Sequence, residues 1–142
     1  SKAKPRKIEE KTIFIIRDGE KVVLHKRPTK GLLAGLYEFP NTSGHLTEEE
    51  ALLWVKEQKL EPLRIQKLEP AKHIFSHVEW HMTAYVIRVD ELTENKGGML
   101  FVEAADSEEH YPIPAAFAAY TKYVHIRLGN EKYSDQSDMI DK

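Results

Sequence analysis

The sequence predicts one α+β domain, a sandwich built on a mixed β-sheet, and three observations support this fold class. The chain has 142 residues, of which 41% are hydrophobic and 31% charged, which suits one hydrophobic core and is too few for two. Short runs of alternating apolar and polar residues, the longest over residues 80–89, are typical of strands. Segments that begin near Thr47 and Pro114 have apolar residues at helical spacing.

The first part of the chain predicts a hairpin, a loop and a short strand. Strands over 12–17 and Lys21–Lys26 are joined through Asp18-Gly19, because Gly tolerates the positive φ of a tight turn. The Pro- and Gly-rich residues 27–35 predict an irregular loop. A short strand over 36–39 and a turn over 41–43 are expected to follow.

The mid-chain helix has the clearest boundaries in the sequence. Thr47 and Glu50 have the spacing of a capping box, in which each side chain accepts a hydrogen bond from the backbone of the other. An apolar stripe follows, and we assign Trp54 within it to the core. The helix is predicted to end near Leu60, before Pro62.

The second half predicts further strands and a C-terminal helix. Strands are expected over 64–68, 80–89 and 99–104, with an acidic loop or single helical turn at 106–110. The last helix begins around Pro114 and places Phe117 in the core. At the level of domains, we expect a connector over 1–10, one domain over 11–128 and a polar, disordered tail over 129–142.

Charge and composition exclude several classes of protein. The chain has 21 Lys+Arg against 23 Asp+Glu, so it lacks the basic balance of an autonomous nucleic-acid binder. Residues 1–80 carry 15 basic and 12 acidic side chains, and residues 81–142 carry 6 and 11, so a polyanion would meet the first half. The absence of cysteine excludes disulfides, thiolate nucleophiles and cysteine-bound clusters in this chain. With no long apolar run and no signal peptide in the sequence, we expect a cytoplasmic location and no membrane partner.

Polar and aromatic residues are concentrated just before the longest predicted strand, at Phe75-Ser76-His77. His73, His77 and His81 are spaced four apart there, which on a helix would suggest a metal site. In a strand and loop this spacing does not bring the three rings together, so we expect no metal.

Residues 27–50 resemble the Nudix superfamily, whose members have a Gly-rich loop, a short strand ending in an aromatic-Pro pair, and the box G-x5-E-x7-R-E-U-x-E-E. The strand matches LYEFP at 36–40, and Gly44 and Glu50 match the start of the box. The remaining Arg and acidic positions of the box are occupied here by Gln58, Lys59, Pro62 and Leu63. Clustered carboxylates hold the metal in a Nudix pyrophosphohydrolase, and Lys59, Pro62 and Leu63 supply none.

Three separated segments together resemble the C-terminal domain of MutY-type adenine DNA glycosylases. They are RPTKGLLAGLYEFPN at 27–41, KHIFSHVEWHMTAYVIRV at 72–89 and YPIPAAFAAYTKY at 111–123. The resemblance implies a Nudix-like α/β/α sandwich that recognises 8-oxoguanine opposite adenine in duplex DNA during base-excision repair. Adenine removal would belong to a covalently linked catalytic domain, absent from this chain, that carries the family's iron–sulfur cluster. The resemblance therefore assigns no catalytic residue and no cofactor to this chain. It also implies a cytoplasmic, nucleoid-associated location.

The same resemblance makes Ser76 the residue that reads the lesion. 8-Oxoguanine has an N7–H donor and an O8 acceptor where guanine has only the N7 acceptor, and a serine hydroxyl can accept as well as donate. Phe75 either stacks or wedges beside the base or belongs to the core. His77 either donates to the base or a phosphate or satisfies backbone groups of a turn.

Phosphate contacts and two other functions remain open from the sequence. Arg27, Lys30 and Lys72 are candidate phosphate contacts, with ordinary solvated cations as the alternative. The chain is alternatively an active Nudix pyrophosphohydrolase acting on nucleoside diphosphate derivatives, which the replaced box argues against. A non-catalytic protein-interaction module is the third possibility.

Overall fold

The centre of the fold is a pair of long parallel strands, which extends the sheet expected from the sequence. The computed structural model describes residues 4–19, 21–94 and 97–124. Strand β1 (Lys7–Asp18) pairs in parallel with β7 (Val78–Val89) from Lys7 opposite Val78 to Arg17 opposite Arg88. All other strand pairs are antiparallel, so the predicted mixed sheet is confirmed.

Six shorter strands complete the sheet around this pair, with the main order β3-β2-β1-β7-β5. Two of them pair with β7 at opposite ends, namely β5 (Pro62–Lys67) and β6 (Ala71–Ile74). Pairing with β1 involves β2 (Lys21–Lys26) and β4 (Asn41–Ser43). The remaining strands, β3 (Tyr37–Glu38) and β8 (Met99–Glu103), extend the sheet from β2.

Both faces of the central strands are buried, which makes the domain an α/β/α sandwich. Along β1, Ile13 and Ile15 face one apolar cluster, whereas Phe14 and Ile16 face the other. Because successive strand residues point to opposite faces, a strand covered on both sides is apolar throughout its centre. Helix α1 (Glu48–Glu57) covers one face, and the segment 115–124 covers the other.

Helix α1 confirms the predicted start and corrects the predicted end. The Thr47 hydroxyl accepts from Glu50 N–H at 3.2 Å, and the Glu50 carboxylate accepts from Thr47 N–H at 2.9 Å. The helix stops at Glu57 because the next residues close the last turn, and Lys59 then takes a left-handed φ of 64°. Leu60 lies beyond the helix, although it is still buried against it.

The C-terminal segment is helical in three short pieces, so the prediction of one regular helix was wrong. A 3-10 turn over Ala115–Phe117 leads into α3 (Ala118–Thr121) and a second 3-10 turn over Lys122–Val124. Tighter turns place side chains three residues apart on one face, which suits burial of Phe117 with Tyr120. Before this segment, a 3-10 turn over Ala104–Asp106 precedes α2 (Ser107–His110), the single helical turn expected from the sequence.

Two segments expected to be irregular are strands. The prediction placed residues 1–10 in a connector, yet β1 already begins at Lys7. Asn41–Ser43 was expected to be a turn, yet it pairs with β1 as β4. Neither segment is apolar, so main-chain pairing with a long neighbouring strand, rather than side-chain pattern, makes them strands.

The core assignments hold, and the tail lies outside the described residues. Phe117 is buried, and Trp54 is half-buried with its ring stacked on Phe14 at 3.9 Å between centroids. The expected disordered tail, 129–142, falls within the part that the structure does not describe. Over residues 4–19, 21–94 and 97–124, no helix has the length and apolarity required to cross a membrane.

Candidate nucleic-acid interface

The Phe75-Ser76-His77 stretch forms the tip of the β6–β7 hairpin. Phe75 N–H donates to the Val78 carbonyl at 2.8 Å, which closes a tight turn over residues 75–78, here named the β6–β7 turn. Neither residue at its centre, Ser76 or His77, has a positive φ. The turn therefore needs no glycine and can present two functional side chains in sequence.

The hairpin below the turn has one buried and one solvent-facing side. His73 pairs with Trp80 on the buried side, where both are at most 8% exposed. On the other side, Lys72 pairs with His81 and Ile74 with Glu79. This alternation follows the period of two in a strand, and it points Lys72 away from the core.

Phe75 is held against the core by aromatic contacts. Its ring meets the edge of Trp80 at 4.9 Å between centroids and that of His73 at 4.5 Å. Trp80 is buried and in turn packs against Phe117 in the apolar cluster under the C-terminal segment. The sequence left two roles open for Phe75, and in this structure its contacts are those of a core residue.

Ser76 and His77, by contrast, are exposed at the tip. Within the described residues, neither the hydroxyl nor the backbone N–H of Ser76 has a hydrogen-bond partner. A ligand with one donor and one acceptor on neighbouring atoms can bind such a pair of groups. The turn thus presents hydrogen-bonding groups on a support that is packed underneath.

The start of β1 is bound to the same turn, which the sequence did not indicate. Arg6 Nε donates to the Phe75 carbonyl at 2.9 Å, and Lys7 N–H donates to the His77 carbonyl at 3.1 Å. The Arg6 guanidinium also lies 3.8 Å from the Glu79 carboxylate. A basic residue in a polar lead-in carries no sequence signal for such a role, because its partners are more than sixty residues away.

Arg27 is engaged inside the protein, which argues against the phosphate contact proposed from the sequence. Its Nη1 lies 2.6 Å from a Glu38 carboxylate oxygen, and its Nε donates to the Leu32 carbonyl at 3.1 Å. The guanidinium also lies over the Trp80 ring, 5.3 Å from its centroid. Arg27 therefore fixes the loop 28–36 against the ring that also supports Phe75.

Glu38 was missed by the sequence reasoning, although a signal for it exists. It is 7% exposed and also lies 3.3 Å from His25. An acid between two aromatic residues of a short strand, here Tyr37 and Phe39, is directed to the opposite face from them. An acid on an enclosed face needs a cationic partner, and Arg27 is that partner.

The other two candidate cations are exposed and lie on different elements. Lys30 is in the loop 28–36, whereas Lys72 is on β6 and lines an open groove of about 390 Å³ with His45 and His81. Residues 75–78 do not line that groove. The structure therefore does not gather the three sequence-proposed cations into one cluster.

The loop that leads into β6 is anchored by a polar network. The Tyr123 hydroxyl donates to a Glu69 carboxylate oxygen at 2.7 Å, and Lys122 lies 3.3 Å from the other oxygen. The hydrogen bond from Tyr123 lowers the pKa of Glu69, because it stabilises the ionised form. Tyr120 donates to the Glu69 backbone carbonyl at 3.0 Å, so the C-terminal segment secures this end of the hairpin.

The histidines that suggested a metal point in different directions. His73 is buried against Phe75, His77 is at the exposed tip, and His81 lies beside Glu79 at 3.2 Å on the solvent side. In the part of the chain that the structure describes, no group of three or more His, Cys, Asp or Glu side chains is placed to bind a metal.

Comparison with known proteins identifies the family. A family profile for the NUDIX domain matches residues 12–123, most of the chain. The chain belongs to the Nudix family. Over 79 residues, 51% of its length, this Nudix domain is also 38% identical to mouse adenine DNA glycosylase, of which the match spans 15%. The resemblance to adenine DNA glycosylases predicted from the sequence is therefore confirmed.

Solved structures show the same fold. One is the C-terminal domain of mouse MUTYH in a complex with human PCNA, with a TM-score of 0.60 and 24% identity, covering 87% of this chain and 93% of that one. Another is the MutT Nudix hydrolase from Burkholderia pseudomallei, with a TM-score of 0.58 and 17% identity, covering 80% and 96%. A MutT protein from Bacillus halodurans matches with a TM-score of 0.60 at 12% identity, covering 89% and 93%.

The Nudix box in this domain does not form a metal site. Glu50, its first acid, is used as the helix cap. Gln58 closes the end of the helix, and its amide donates to the Trp54 carbonyl at 3.3 Å. Pro62 and Leu63, at the positions of the last two acids, lie in β5 rather than on α1. The residues present therefore do not fit a divalent metal.

Proposed function

We propose that this domain recognises 8-oxoguanine opposite adenine in duplex DNA and that Ser76 reads the lesion. The observation that carries the proposal is the exposed, unpartnered hydroxyl and N–H of Ser76, within the described residues, at the tip of a hairpin packed onto Trp80. A site on a rigid support holds its hydrogen-bonding groups in place before the ligand arrives. The similarity to mouse adenine DNA glycosylase supports the same assignment.

The chemistry of the lesion matches the groups at the tip. The Ser76 hydroxyl accepts from N7–H of 8-oxoguanine, and the Ser76 backbone N–H, or the hydroxyl in another rotamer, donates to O8. Unmodified guanine presents an acceptor at N7 and no oxygen at C8, so it satisfies one group at most. Discrimination therefore rests on the reversal of hydrogen-bond polarity at two adjacent atoms.

The neighbours of Ser76 take supporting roles. His77, exposed beside Ser76, donates to the base or to an adjacent phosphate. Phe75 packs on Trp80 and so keeps the turn in place. Lys30 and Lys72 contact phosphates on either side, whereas Arg27 acts through the loop 28–36 that it fixes.

Adenine removal is assigned to a covalently linked catalytic domain that this chain does not contain. The chain has no cysteine for an iron–sulfur cluster, and the match spans only 15% of the mouse glycosylase. In this arrangement the catalytic domain flips the adenine while the Nudix domain holds the opposite lesion. A cytoplasmic, nucleoid-associated location follows from such a role.

The decisive experiment compares two serine variants in the intact glycosylase. Ser76→Ala is expected to lower the preference for adenine opposite 8-oxoguanine over adenine opposite guanine by about 1 to 3 kcal/mol, measured from single-turnover excision rates. Ser43→Ala, an exposed serine on β4, is the matched control and should leave the ratio unchanged. Equal preference in wild type and Ser76→Ala would remove Ser76 from the site.

Nudix hydrolysis is the second candidate, favoured only by the shared fold with MutT structures. Against it stand the helix end at Glu57 and the absence of carboxylates at positions 59, 62 and 63. The test is Mg²⁺- or Mn²⁺-dependent hydrolysis of nucleoside diphosphate derivatives. Robust turnover that survives Ser76→Ala would replace the proposal with this activity.

A protein-interaction module would behave differently again. It would bind a partner protein, and its removal would leave the ratio of excision opposite 8-oxoguanine and guanine intact. Deleting the domain from the glycosylase is expected to lower that ratio, and an unchanged ratio would favour the module.

A further inference from the structure

We propose that Arg6 is a positioning residue that holds the β6–β7 turn in its reading conformation. This inference rests on the proposed function of the turn and extends it to a residue that touches no base. It is based on three contacts that Arg6 and Lys7, at the entry to β1, make with the turn or with the strand that follows it.

Arg6 and Lys7 bind two backbone carbonyls of the turn, those of Phe75 and His77. The only described cross-strand hydrogen bond within the turn joins Phe75 N–H to the Val78 carbonyl. The carbonyls of Phe75 and His77, which flank Ser76, are instead bound by the Arg6 guanidinium and by Lys7 N–H. The peptide group before Ser76 and the one after His77 are therefore bound from Arg6 and Lys7 and not from within the hairpin.

The Arg6 side chain contacts two acceptors at once, a backbone carbonyl and a carboxylate. A guanidinium presents several donors in a planar fork, so one side chain can bind a carbonyl and a carboxylate together. Here Nε donates to the Phe75 carbonyl while Nη1 lies 3.8 Å from Glu79, the residue directly after the turn. Arg6 thus bridges the residue before Ser76 and the strand after it.

The contacts of Arg6 distinguish a positioning role from a role as a phosphate contact. Its side chain is 45% exposed, so a basic residue at this place would ordinarily be assigned to the DNA backbone. Its donors are directed at protein acceptors, however, and Glu79 already offsets its charge. A positioning role predicts an effect on lesion discrimination, whereas a phosphate contact predicts a uniform loss of affinity that depends on salt.

The test pairs Arg6→Ala with Lys7→Ala. Both variants remove one positive charge at the start of β1, but Lys7→Ala keeps the N–H that binds His77, and the Lys7 side chain lies only near Glu9. Amide hydrogen exchange is measured first, on the 142-residue chain without DNA. Exchange at Phe75 is expected to be about threefold to tenfold faster in Arg6→Ala and unchanged in Lys7→Ala. Equal exchange in both variants and wild type would overturn the positioning role, whatever the function of Ser76.

The second measurement uses the intact glycosylase carrying the same variants. Arg6→Ala is expected to lower the 8-oxoguanine to guanine preference without changing the slope of log affinity against log salt, and Arg6→Lys is expected to restore part of the preference. A salt slope reduced by about one, with unchanged preference, would make Arg6 a phosphate contact and overturn the proposal. Faster exchange at Phe75 combined with no effect of Ser76→Ala would keep Arg6 as the support of the turn and reject only the lesion-reading function.

Discussion

The β6–β7 turn and the segment after α1 are two regions where polar residues follow a well-packed element. They differ in whether those polar residues stay exposed or are used to end the element. At the turn, Ser76 and His77 are exposed while the backbone around them is bound by β1 and by the hairpin. After α1, Gln58 and Lys59 are used to end the helix. The first region leaves its polar side chains exposed to solvent, whereas the second uses its residues to end the helix.

This difference shows that the structural part of a motif can be present without its metal-binding part. Helix α1 still packs through Ala51 and Val55 and is still capped, so the structural half of the Nudix box is intact. The ligand half is absent, because positions 59, 62 and 63 carry no carboxylate and the last two lie in β5, beyond the end of the helix. Core positions depend on burial alone, so they persist when the chemistry beside them does not.

The largest expected effect separates the two tryptophans that support the two regions. Trp80→Ala is expected to lower the free energy of unfolding by about 3 to 5 kcal/mol, because a buried ring leaves a cavity under Phe75. Trp54→Ala, which removes a half-buried ring stacked on Phe14, should cost about 1 to 3 kcal/mol. Urea denaturation measures both, and a larger loss for Trp54 would reverse the ranking of the two supports.

The next effect concerns the ion pair beside the turn. Glu38→Ala is expected to cost about 3 kcal/mol, because it leaves the largely enclosed Arg27 without its carboxylate. Glu38→Gln is the control, since its amide oxygen still accepts from the guanidinium, and its loss should be smaller. Thermal unfolding of the two variants checks this, and equal stability of both with wild type would show that the pair does not support the loop 28–36.

A smaller effect, on pH dependence, is expected at the start of α1. Hydrogen bonds from the Thr47 backbone and hydroxyl lower the pKa of Glu50 below its ordinary value of about 4.5. A carboxyl with a lowered pKa in the folded state stabilises the protein fully above the ordinary value, and this contribution is lost as the pH falls through the lower, folded value. Acid unfolding of wild type should therefore be steeper in that range than unfolding of Glu50→Gln, whose amide accepts the same bond at every pH. Identical pH profiles would contradict the role of the ionised cap.

The last prediction is that no effect will be seen, and it tests why the segment after α1 does not form a metal site. The triple variant Lys59→Glu, Pro62→Glu, Leu63→Glu restores the carboxylates of the box, yet it should gain no Mg²⁺-dependent hydrolysis. Positions 62 and 63 lie in β5, beyond the helix end, so the new side chains do not share a helical face with Glu50. Measurable turnover would show that residue type alone had silenced the box.

The elements that were predicted correctly are those with local signals. The capping box of Thr47 and Glu50, the Asp18-Gly19 turn and the alternation along β7 each depend on residues within a few positions of one another. Of the predicted site residues, Ser76 and His77 lie at the exposed tip of the β6–β7 hairpin, whereas Phe75 is half-buried below it. The use of this tip for reading DNA remains a prediction.

The failures involve contacts between distant residues. Strand β4 and the first residues of β1 are strands only because a neighbour offers its main chain, and their sequences carry no strand pattern. The ion pair of Arg27 with Glu38, eleven residues along the chain, was likewise not anticipated. The C-terminal segment has helical spacing, but packing against the sheet divides it into tighter turns.

By itself, the sequence determined the fold class, the cap of α1 and the absence of the Nudix carboxylates, because each depends on residue type and short-range spacing. Only the tertiary structure decided that α1 ends before the last acid positions and that Arg27 and Phe75 share the Trp80 ring. It also decided that Arg6 donates a hydrogen bond to the Phe75 carbonyl in the β6–β7 turn. The physical reason is that side-chain pattern selects which face a residue buries, while long-range partners are selected by the packing of whole strands.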